Sequence, residues 1–539
     1  MKKVKLFINL FTTTIIFNYF ISILVLLLNP HVVISYHDFF SLYVYLFIFY
    51  GPLWFIFIGI LFFIIQFFSE KKYPLGIFSP PTITYFLSFT ILIVSFLLYL
   101  NYVYYFEFFT AEFKSKFVQI LLVNLILIIT SILFVVIKQI NKKWIQLLFL
   151  LILVFNILSS FYSVVVDNFY MLKTEKEKPV TQKINPRKMR IVIMDGLSLN
   201  FLFSLSEEQK LLNFDYLIKN GVRSRISTFK PNFELGLLNS TLTGRVPSEY
   251  KFHSNYRFKI SDLDYEFNIF PRYIFFRYSS RLGFTTFYKK SNPNIKDYII
   301  KKYQQNNLQT MPLVGPQYAP PYSKKKLEHN SLFIHLFSDI LETVSPKYEI
   351  VRKSFFLDDF IKNRIPDLKD TDIFYSITRL KGLDTISKYF YQYYLHQIFG
   401  NIYEKDINQY GWIIKKYYEY YDSIIGNLIS SCGENELLVI LSFFEYEPLP
   451  VWRRIIVNLF GQKDVYVYKS LKSQGTLLMY EKNALKKDYP LKTTTIFDIF
   501  PTLIYYSGFQ LSKDLKGEVV REIFTDEFIL NNPIDFQTN

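Results

Sequence analysis

Five long stretches without a single charged side chain fill the first third of this chain: about Leu6–Leu28, Leu42–Phe68, Thr82–Phe106, Phe117–Ile137 and Trp144–Val166. A helix needs about 20 residues to cross the roughly 30 Å hydrocarbon core of a bilayer, and each stretch meets that length. In lipid every backbone N–H and C=O must be satisfied within the segment, so residues 1–168 read as a bundle of five transmembrane helices. The second stretch is over-long and contains Gly51-Pro52, which predicts a kink or tilt. Lys2, Lys3 and Lys5 precede the first stretch as they would in a signal peptide, but its apolar run is too long and no small-residue cleavage site follows.

Charge placement gives an orientation. Residues 1–168 hold ten Lys, no Arg and five acids, so the remaining 371 residues hold 61 − 10 = 51 basic and 45 − 5 = 40 acidic groups, a net +11 of the total +16. Lysines at the N-terminus, at Lys71-Lys72 and at Lys138, Lys142 and Lys143 mark the cytoplasmic loops. The opposite loops have none between His31 and Asp38, and Lys114 with Lys116 diluted by Glu107 and Glu112. Five spans then place everything after Val166 outside the cytoplasm. With no ionisable group inside any of the five stretches, an ion- or proton-coupled transporter is not expected. Asn9, Asn18, Asn124 and Asn156 read as interhelical hydrogen-bonding residues, and the bundle as an anchor.

A basic linker with Pro179 and Pro186, residues 169–188, leads into a region of different pattern at 189–530, followed by a tail at 531–539. Met189–Met194 is a short apolar run that stops at Asp195-Gly196, and similar runs recur at Ile373–Thr378, Leu437–Leu441 and Leu477–Tyr480. Such runs are expected for buried parallel strands, and open α/β sheets bind ligands just past the strands' carboxyl ends. Helical patterns intervene, notably about Lys415–Ser431 and Ile496–Ser507, with Gly508 after the latter. Strand and helix alternate, so the fold class is α/β: a doubly wound, mostly parallel sheet following the five-helix bundle. Cys432 is the sole cysteine, which excludes a disulfide framework.

Three segments in order, Ile193-Met-Asp-Gly-Leu-Ser198, Asn213-Phe-Asp-Tyr-Leu-Ile-Lys-Asn-Gly-Val222 and Thr241-Leu-Thr-Gly-Arg-Val-Pro-Ser248, resemble the opening of the type I phosphodiesterase/nucleotide pyrophosphatase branch of the alkaline phosphatase superfamily, which has a sulfatase-like fold. Thr378-Arg-Leu-Lys-Gly-Leu-Asp384, Leu437-Leu-Val-Ile-Leu-Ser442 with Glu447-Pro448, and Phe497-Asp-Ile-Phe-Pro-Thr-Leu503 continue the likeness, which covers about Arg190 to Thr525. A five-helix anchor bearing an outward domain is also similar in architecture to membrane phosphoglycerol and phosphoethanolamine transferases. The resemblance implies two divalent metals about 4 Å apart and an activated Thr or Ser that attacks a phosphoryl group in line.

The residues implied by the resemblance are mostly replaced. Asp195 stands at the first-strand aspartate, Glu234 falls at the nucleophile's place with Asn232 and Asn239 as polar neighbours, and Asp384 survives with Lys388 where a histidine is expected. Where Ser-Asp-His-Gly is expected the chain reads Ser442-Phe443-Phe444-Glu445, and the last histidine aligns with Lys469. The histidines of this region, His253, His329, His335 and His396, lie away from the empty positions and read as ordinary polar residues.

These replacements have a chemical sense. Lys388 and Lys469 stand where they could balance Asp195, Glu234 and Asp384 without a cofactor, and Phe443 and Phe444 would fill the vacated volume. The expectation is a catalytically degenerate site that needs no cofactor, in a protein that binds or scaffolds a phosphorylated glycan, a lipid headgroup or a partner protein. The alternative is an active phosphoester hydrolase or transferase in which zinc or manganese sits on Asp195 and Asp384. Lys324–Lys326 and Arg453-Arg454 could face anionic headgroups. Arg272, Arg277 and Arg281 with Tyr250, Tyr256 and Tyr322 could line a surface, though ordinary aromatic packing and exposed arginines are the preferred reading. No groove-reading motif for nucleic acid is present.

Overall fold

The computed structural model describes residues 2–68, 80–136, 142–166, 186–208, 211–249, 256–260, 263–274, 276, 279–280, 283–289, 295–365, 372–399, 402–451, 454–455, 467–469 and 474–536. The chain forms two compact units: Met1–Glu177 with Pro247–Asn294, and Lys178–Val246 with Ile295–Asn539. Most of the expected linker lies outside the described residues.

The first unit contains α1 (Lys2–Leu27), α2 (Tyr36–Phe68), α3 (Pro80–Tyr104), α4 (Ala111–Val136) and α5 (Lys142–Phe161), the last closed by a π-helical turn over Tyr162–Val166. All five are long and apolar enough to cross a membrane. The α2 helix is continuous through Pro52. The α1 helix is enclosed along most of its length, and several of its polar side chains bond locally: Thr13, Thr14 and Ser22 donate to carbonyls one turn earlier, and Asn18 Nδ2 to Thr14 O. Other polar groups join helices. Asn156 Nδ2 donates to Asn124 Oδ1 at 2.6 Å, Ser88 to Ser131 at 2.6 Å, and Tyr19 Oη to Ile157 O at 2.7 Å.

One expectation about these helices needs correction. The α4 helix begins at Ala111, so Glu112, Lys114 and Lys116 occupy its first turns and not a loop, and the candidate span Ala111–Leu133 does contain ionisable groups. Lys116 is buried, pairs with Glu112 at 3.3 Å and lies 4.8 Å from the Phe113 ring. The α2 span likewise opens with His37 and Asp38.

The boundary of the first unit also differs from the sequence reading, which assigned 189–530 to one domain. Pro247–Asn294 packs with the helices. It contributes a hairpin of β3 (Tyr256–Ile260) and β4 (Thr285–Lys289), and the peptide 265–272 is held by two buried asparagines at helix ends. Asn29 Oδ1 accepts from the N–H groups of Asn268 and Ile269, both at 2.8 Å, while its Nδ2 donates to Ile269 O at 2.6 Å. Asn101 pairs in the same two-way fashion with the backbone of Arg272, and Tyr105 Oη donates to Phe270 O. An amide side chain carries a donor and an acceptor in peptide-like geometry, so each asparagine acts as one residue of a partner strand.

The second unit is built on a mixed, mostly parallel sheet. β1 (Lys188–Met194) lies between β6 (Ile373–Leu380) and β7 (Glu436–Ser442), parallel to both, with β5 (Gln309–Val314) outside β6. Beyond β7, β10 (Gln474–Tyr480) is antiparallel to both its neighbours, β7 and β2 (Val222–Ser227); β11 (Tyr489–Pro490) and β12 (Thr494–Thr495) run parallel to β2. The strands β1, β7 and β10 are almost wholly buried, as their continuous apolar sequences require. Helix Ile496–Ser507 opens with a reciprocal cap between Thr495 and Asp498. The C-terminal stretch is not a loose tail: Leu511 N–H donates to Asp535 O, and Tyr505 Oη to Asn532 O at 2.6 Å.

Candidate functional site

The carboxyl ends of β1, β6 and β7 converge on one place. Asp195 follows β1, and its N–H extends the pairing to Leu380 O at the end of β6. Gly196 then turns with φ +86°, and a Cβ there would stand 3.0 Å from the backbone N and Cα of Asp384, so only glycine allows this close approach. Its N–H donates to Ser442 Oγ, which itself donates to Phe444 O. Phe443 and Phe444 are fully buried, and the Phe444 ring lies beside the Lys469 ammonium. Glu234 is the first residue of helix Glu234–Thr243, Asp384 lies in the first turn of helix Gly382–Tyr394, and Lys469 ends β9 (Val467–Lys469), paired with β8 (Tyr446–Pro448).

Three carboxylates and three cations meet here. Arg379 holds Asp195 Oδ2 with Nε at 2.7 Å and Nη2 at 2.6 Å, and its Nη2 also reaches Glu234 Oε2 at 3.0 Å. Lys381 Nζ donates to the same Glu234 oxygen at 2.7 Å, and Lys469 to the other. Lys469 lies 3.6 Å from Asp384, whose carboxylate also accepts from Tyr446 Oη at 2.5 Å. The Lys469 ammonium sits 3.7 Å from the Phe444 ring centre.

Burial and pairing set the ionisation of the cluster. Burial alone would raise Glu234, but Lys469, Arg379 and Lys381 outweigh it and hold its carboxyl well below the usual range. Asp195 is raised: burial dominates, and Glu234 and Asp384 oppose the relief from Arg379. Lys469 is raised because Asp384, Glu234 and Asp195 overcome the effect of its own burial.

Of the residues singled out in the sequence, Asp195, Glu234, Asp384, Phe444 and Lys469 come together, Phe443 is buried just past the end of β7, and Lys388 stays outside the cluster. Lys388 is exposed, with its ammonium over the Tyr389 ring, because Asp384 at the helix start faces inward and a residue one turn later leaves the cluster. The counter-charges that sequence reasoning missed are Arg379 and Lys381. Their signal was two cations at the end of an apolar strand within a segment already picked out by resemblance.

A second missed residue supports the site from behind. Asp358 is fully buried and accepts from the N–H groups of Lys381 and Gly382 and from the hydroxyls of Tyr417 and Tyr421 at 2.8–3.1 Å. It thereby caps the helix that carries Asp384. Burial pushes its carboxyl up to about 6, against these hydrogen bonds. A Cβ at position 382 would overlap Asp358 Oδ2 and Tyr417 Oη, which explains the glycine.

The remaining candidates lie elsewhere. His329 and His335 are exposed, His396 is half-buried, and His253 lies outside the described residues. Arg272 stacks on Tyr104 at 4.1 Å, Tyr256 belongs to β3, Tyr322 packs edge-on against Phe356, and Arg277, Arg281 and Tyr250 lie outside the described residues. Lys324 pairs with Glu342 and Arg454 donates to Phe399 O, while Arg453 lies outside the described residues.

The residues present do not fit a pair of divalent metals. Asp195 and Glu234 are bound by cations, and among the described residues no group of three or more His, Cys, Asp or Glu is placed to hold a metal ion. A site for zinc needs neutral or anionic donors, and ammonium and guanidinium groups have no lone pair to offer.

No family model matches the chain, and no curated protein matches it. Among solved structures, murine ectonucleotide pyrophosphatase/phosphodiesterase 5, as an inactive variant in complex with AMP, is similar with a TM-score of 0.35 and 12% identity, over 63% of this chain and 100% of that one. A second structure of the same murine protein is similar with a TM-score of 0.34 and 11% identity over the same shares. What stands on the chain's own coordinates is a mixed α/β unit with a mostly parallel sheet, in a protein whose N-terminal unit carries five membrane-length apolar helices.

Proposed function

We propose that this chain is a membrane-anchored protein of the phosphodiesterase-like alkaline phosphatase type, doubly wound in its α/β unit, whose site has lost catalysis and serves binding or scaffolding outside the cytoplasm. The five apolar helices cross the bilayer with the N-terminus cytoplasmic. The observation that carries the reading is the replacement of metal by side-chain cations: Arg379, Lys381 and Lys469 neutralise Asp195, Glu234 and Asp384 at the place where the resemblance puts two metals and a nucleophile. Glu234 lacks the hydroxyl that the resemblance calls for, and both of its carboxylate oxygens are engaged by Arg379, Lys381 and Lys469. Occupants with the chemistry to suit such a surface are a phosphorylated glycan, a lipid headgroup or a partner protein.

The test uses the purified full chain. Metal analysis is expected to find no stoichiometric zinc or manganese. Phosphomonoester and phosphodiester turnover with added zinc, manganese or magnesium is expected to be indistinguishable between wild type, Asp195→Ala and Asp384→Ala. Two tightly held metal equivalents, or turnover abolished by either substitution, would instead establish an active enzyme with a non-standard site.

A further inference from the structure

The ion pairs of the cluster are not distributed evenly. Asp195 is fully buried, with one oxygen bound by Arg379, and Asp384 is buried and held by Tyr446 and Lys469. These two are fixed counter-charges. Glu234 differs from both: a single carboxylate collects all three cations, and it lies on the solvent side, its side chain 26% exposed beside Lys381 at 31% and Lys469 at 29%.

Three cations aimed at one carboxylate exceed what that group requires. Without Glu234 the cluster would hold three cations against two carboxylates, a net charge of 3 − 2 = +1. A carboxylate offers two oxygens, and here Arg379 and Lys381 must share one of them. A tetrahedral oxyanion offers three or four, enough for each cation to have its own acceptor, and Arg and Lys together are the side chains that recognise such groups. Glu234 also opens a ten-residue helix, so the positive end of that helix's dipole adds to the same field. The Glu234 side chain is partly in water, at 26% exposure, whereas Arg379, at 12% exposure and held by Asp195, lies beneath it.

We propose that Arg379, Lys381 and Lys469 form an oxyanion-binding cradle that Glu234 occupies as an internal ligand, so that a phosphate or phosphodiester group binds by displacing the Glu234 carboxylate. The inference rests on the metal-free reading of the site given above. It assigns the cluster a regulated binding role: the cradle is closed at rest, and an anionic group must compete with the protein's own carboxylate. The exchange is a displacement of one set of charge-assisted hydrogen bonds by another and makes or breaks no covalent bond.

The experiment is calorimetric titration of the full-length protein in a maltoside detergent, with inorganic phosphate in one arm and dimethyl phosphate in the other. The two arms separate a free phosphate from a lipid- or polymer-borne diester. Glu234→Ala and the isosteric Glu234→Gln are expected to bind at least one of the two probes at least tenfold more tightly than wild type, and Lys469→Ala added to either is expected to abolish the gain. Equal affinity of wild type and both Glu234 variants, no binding by either variant, or a gain that survives Lys469→Ala would overturn the proposal. Glu234→Gln preserves side-chain volume, so it keeps the test valid where Glu234→Ala fails to fold. Metal analysis of the same preparations separates the two claims: bound metal in wild type removes the metal-free reading, whereas its absence together with no gain in the variants removes the cradle alone.

Discussion

The two units bury polar side chains in opposite ways. In the helical unit the buried polar groups that hold segments together are mostly neutral, Lys116 with its partner Glu112 being the charged exception: Asn29 and Asn101 bind the backbone of residues 268–272, and Asn156 binds Asn124. In the α/β unit a charged cluster reaches inward: the buried Asp195 and Asp384 and the half-buried Glu234 meet the partly exposed Arg379, Lys381 and Lys469. The difference follows from what each can bear. An amide left unpaired costs about 1–3 kcal/mol, whereas an ion left unpaired in the interior costs more and must find a counter-ion or change protonation. In the α/β cluster the charge is shared among several partners, and neutral amides suffice for holding a loop to helix ends.

This contrast sets an order of effects. Arg379→Met strands Asp195 and removes one of three cations from Glu234, and is expected to cost about 3–5 kcal/mol in denaturant unfolding of the full chain. Asp358→Asn, which replaces one of the two accepting oxygens by a donor facing the Tyr417 and Tyr421 hydroxyls or the Lys381 and Gly382 N–H groups, is expected to cost about 2–3 kcal/mol at neutral pH. Its cost should also depend on pH. Because the folded carboxyl is raised from its ordinary 3.8 to about 6, the stability it contributes is fully present below 3.8 and is lost as pH rises through 6. The gap between wild type and Asp358→Asn should thus widen by up to about 3 kcal/mol as pH falls from 7.5 toward 4, and a gap that narrows would contradict the assignment.

The helical unit should respond more locally. Asn29→Leu removes both acceptor and donor from the 268–269 backbone, at a cost of about 1–3 kcal/mol. Hydrogen exchange should speed up in residues 265–272 with the sheet strands unchanged; an effect as large as that of Arg379→Met would break the comparison. Asn156→Leu is expected to cost about 0.6–2 kcal/mol, read as reduced thermal stability in detergent. Smallest of all, Lys388→Ala should stay within about 0.5 kcal/mol, since the side chain is exposed and outside the cluster.

Legibility in the sequence followed the range of the interactions involved. The apolar runs at Met189–Met194, Leu437–Leu441 and Leu477–Tyr480 all fall in buried strands, and the helix read at Ile496–Ser507 has those bounds, because such elements are set by local pattern and caps. Lys388 was misplaced because helical spacing from Asp384 suggests proximity but does not say which way the first turn faces. Arg379 was passed over because its value depends on β6 lying beside β1, a pairing between residues 184 positions apart. The segment Pro247–Asn294 was assigned to the wrong unit for a similar reason: its ties to Asn29 and Asn101 bridge 171–240 positions of sequence.

The sequence by itself determined that five helices of membrane length precede an α/β unit, and which side-chain types stand at Asp195, Glu234, Asp384 and Lys469. Both are properties of side-chain type and local period. Only the tertiary structure decided which cations answer the three carboxylates, that Asp358 holds the start of the helix bearing Asp384, and that residues 265–272 belong with the helical bundle. Those outcomes depend on strand order and on pairings of low sequence locality, whose free energy appears only once distant segments have been brought together.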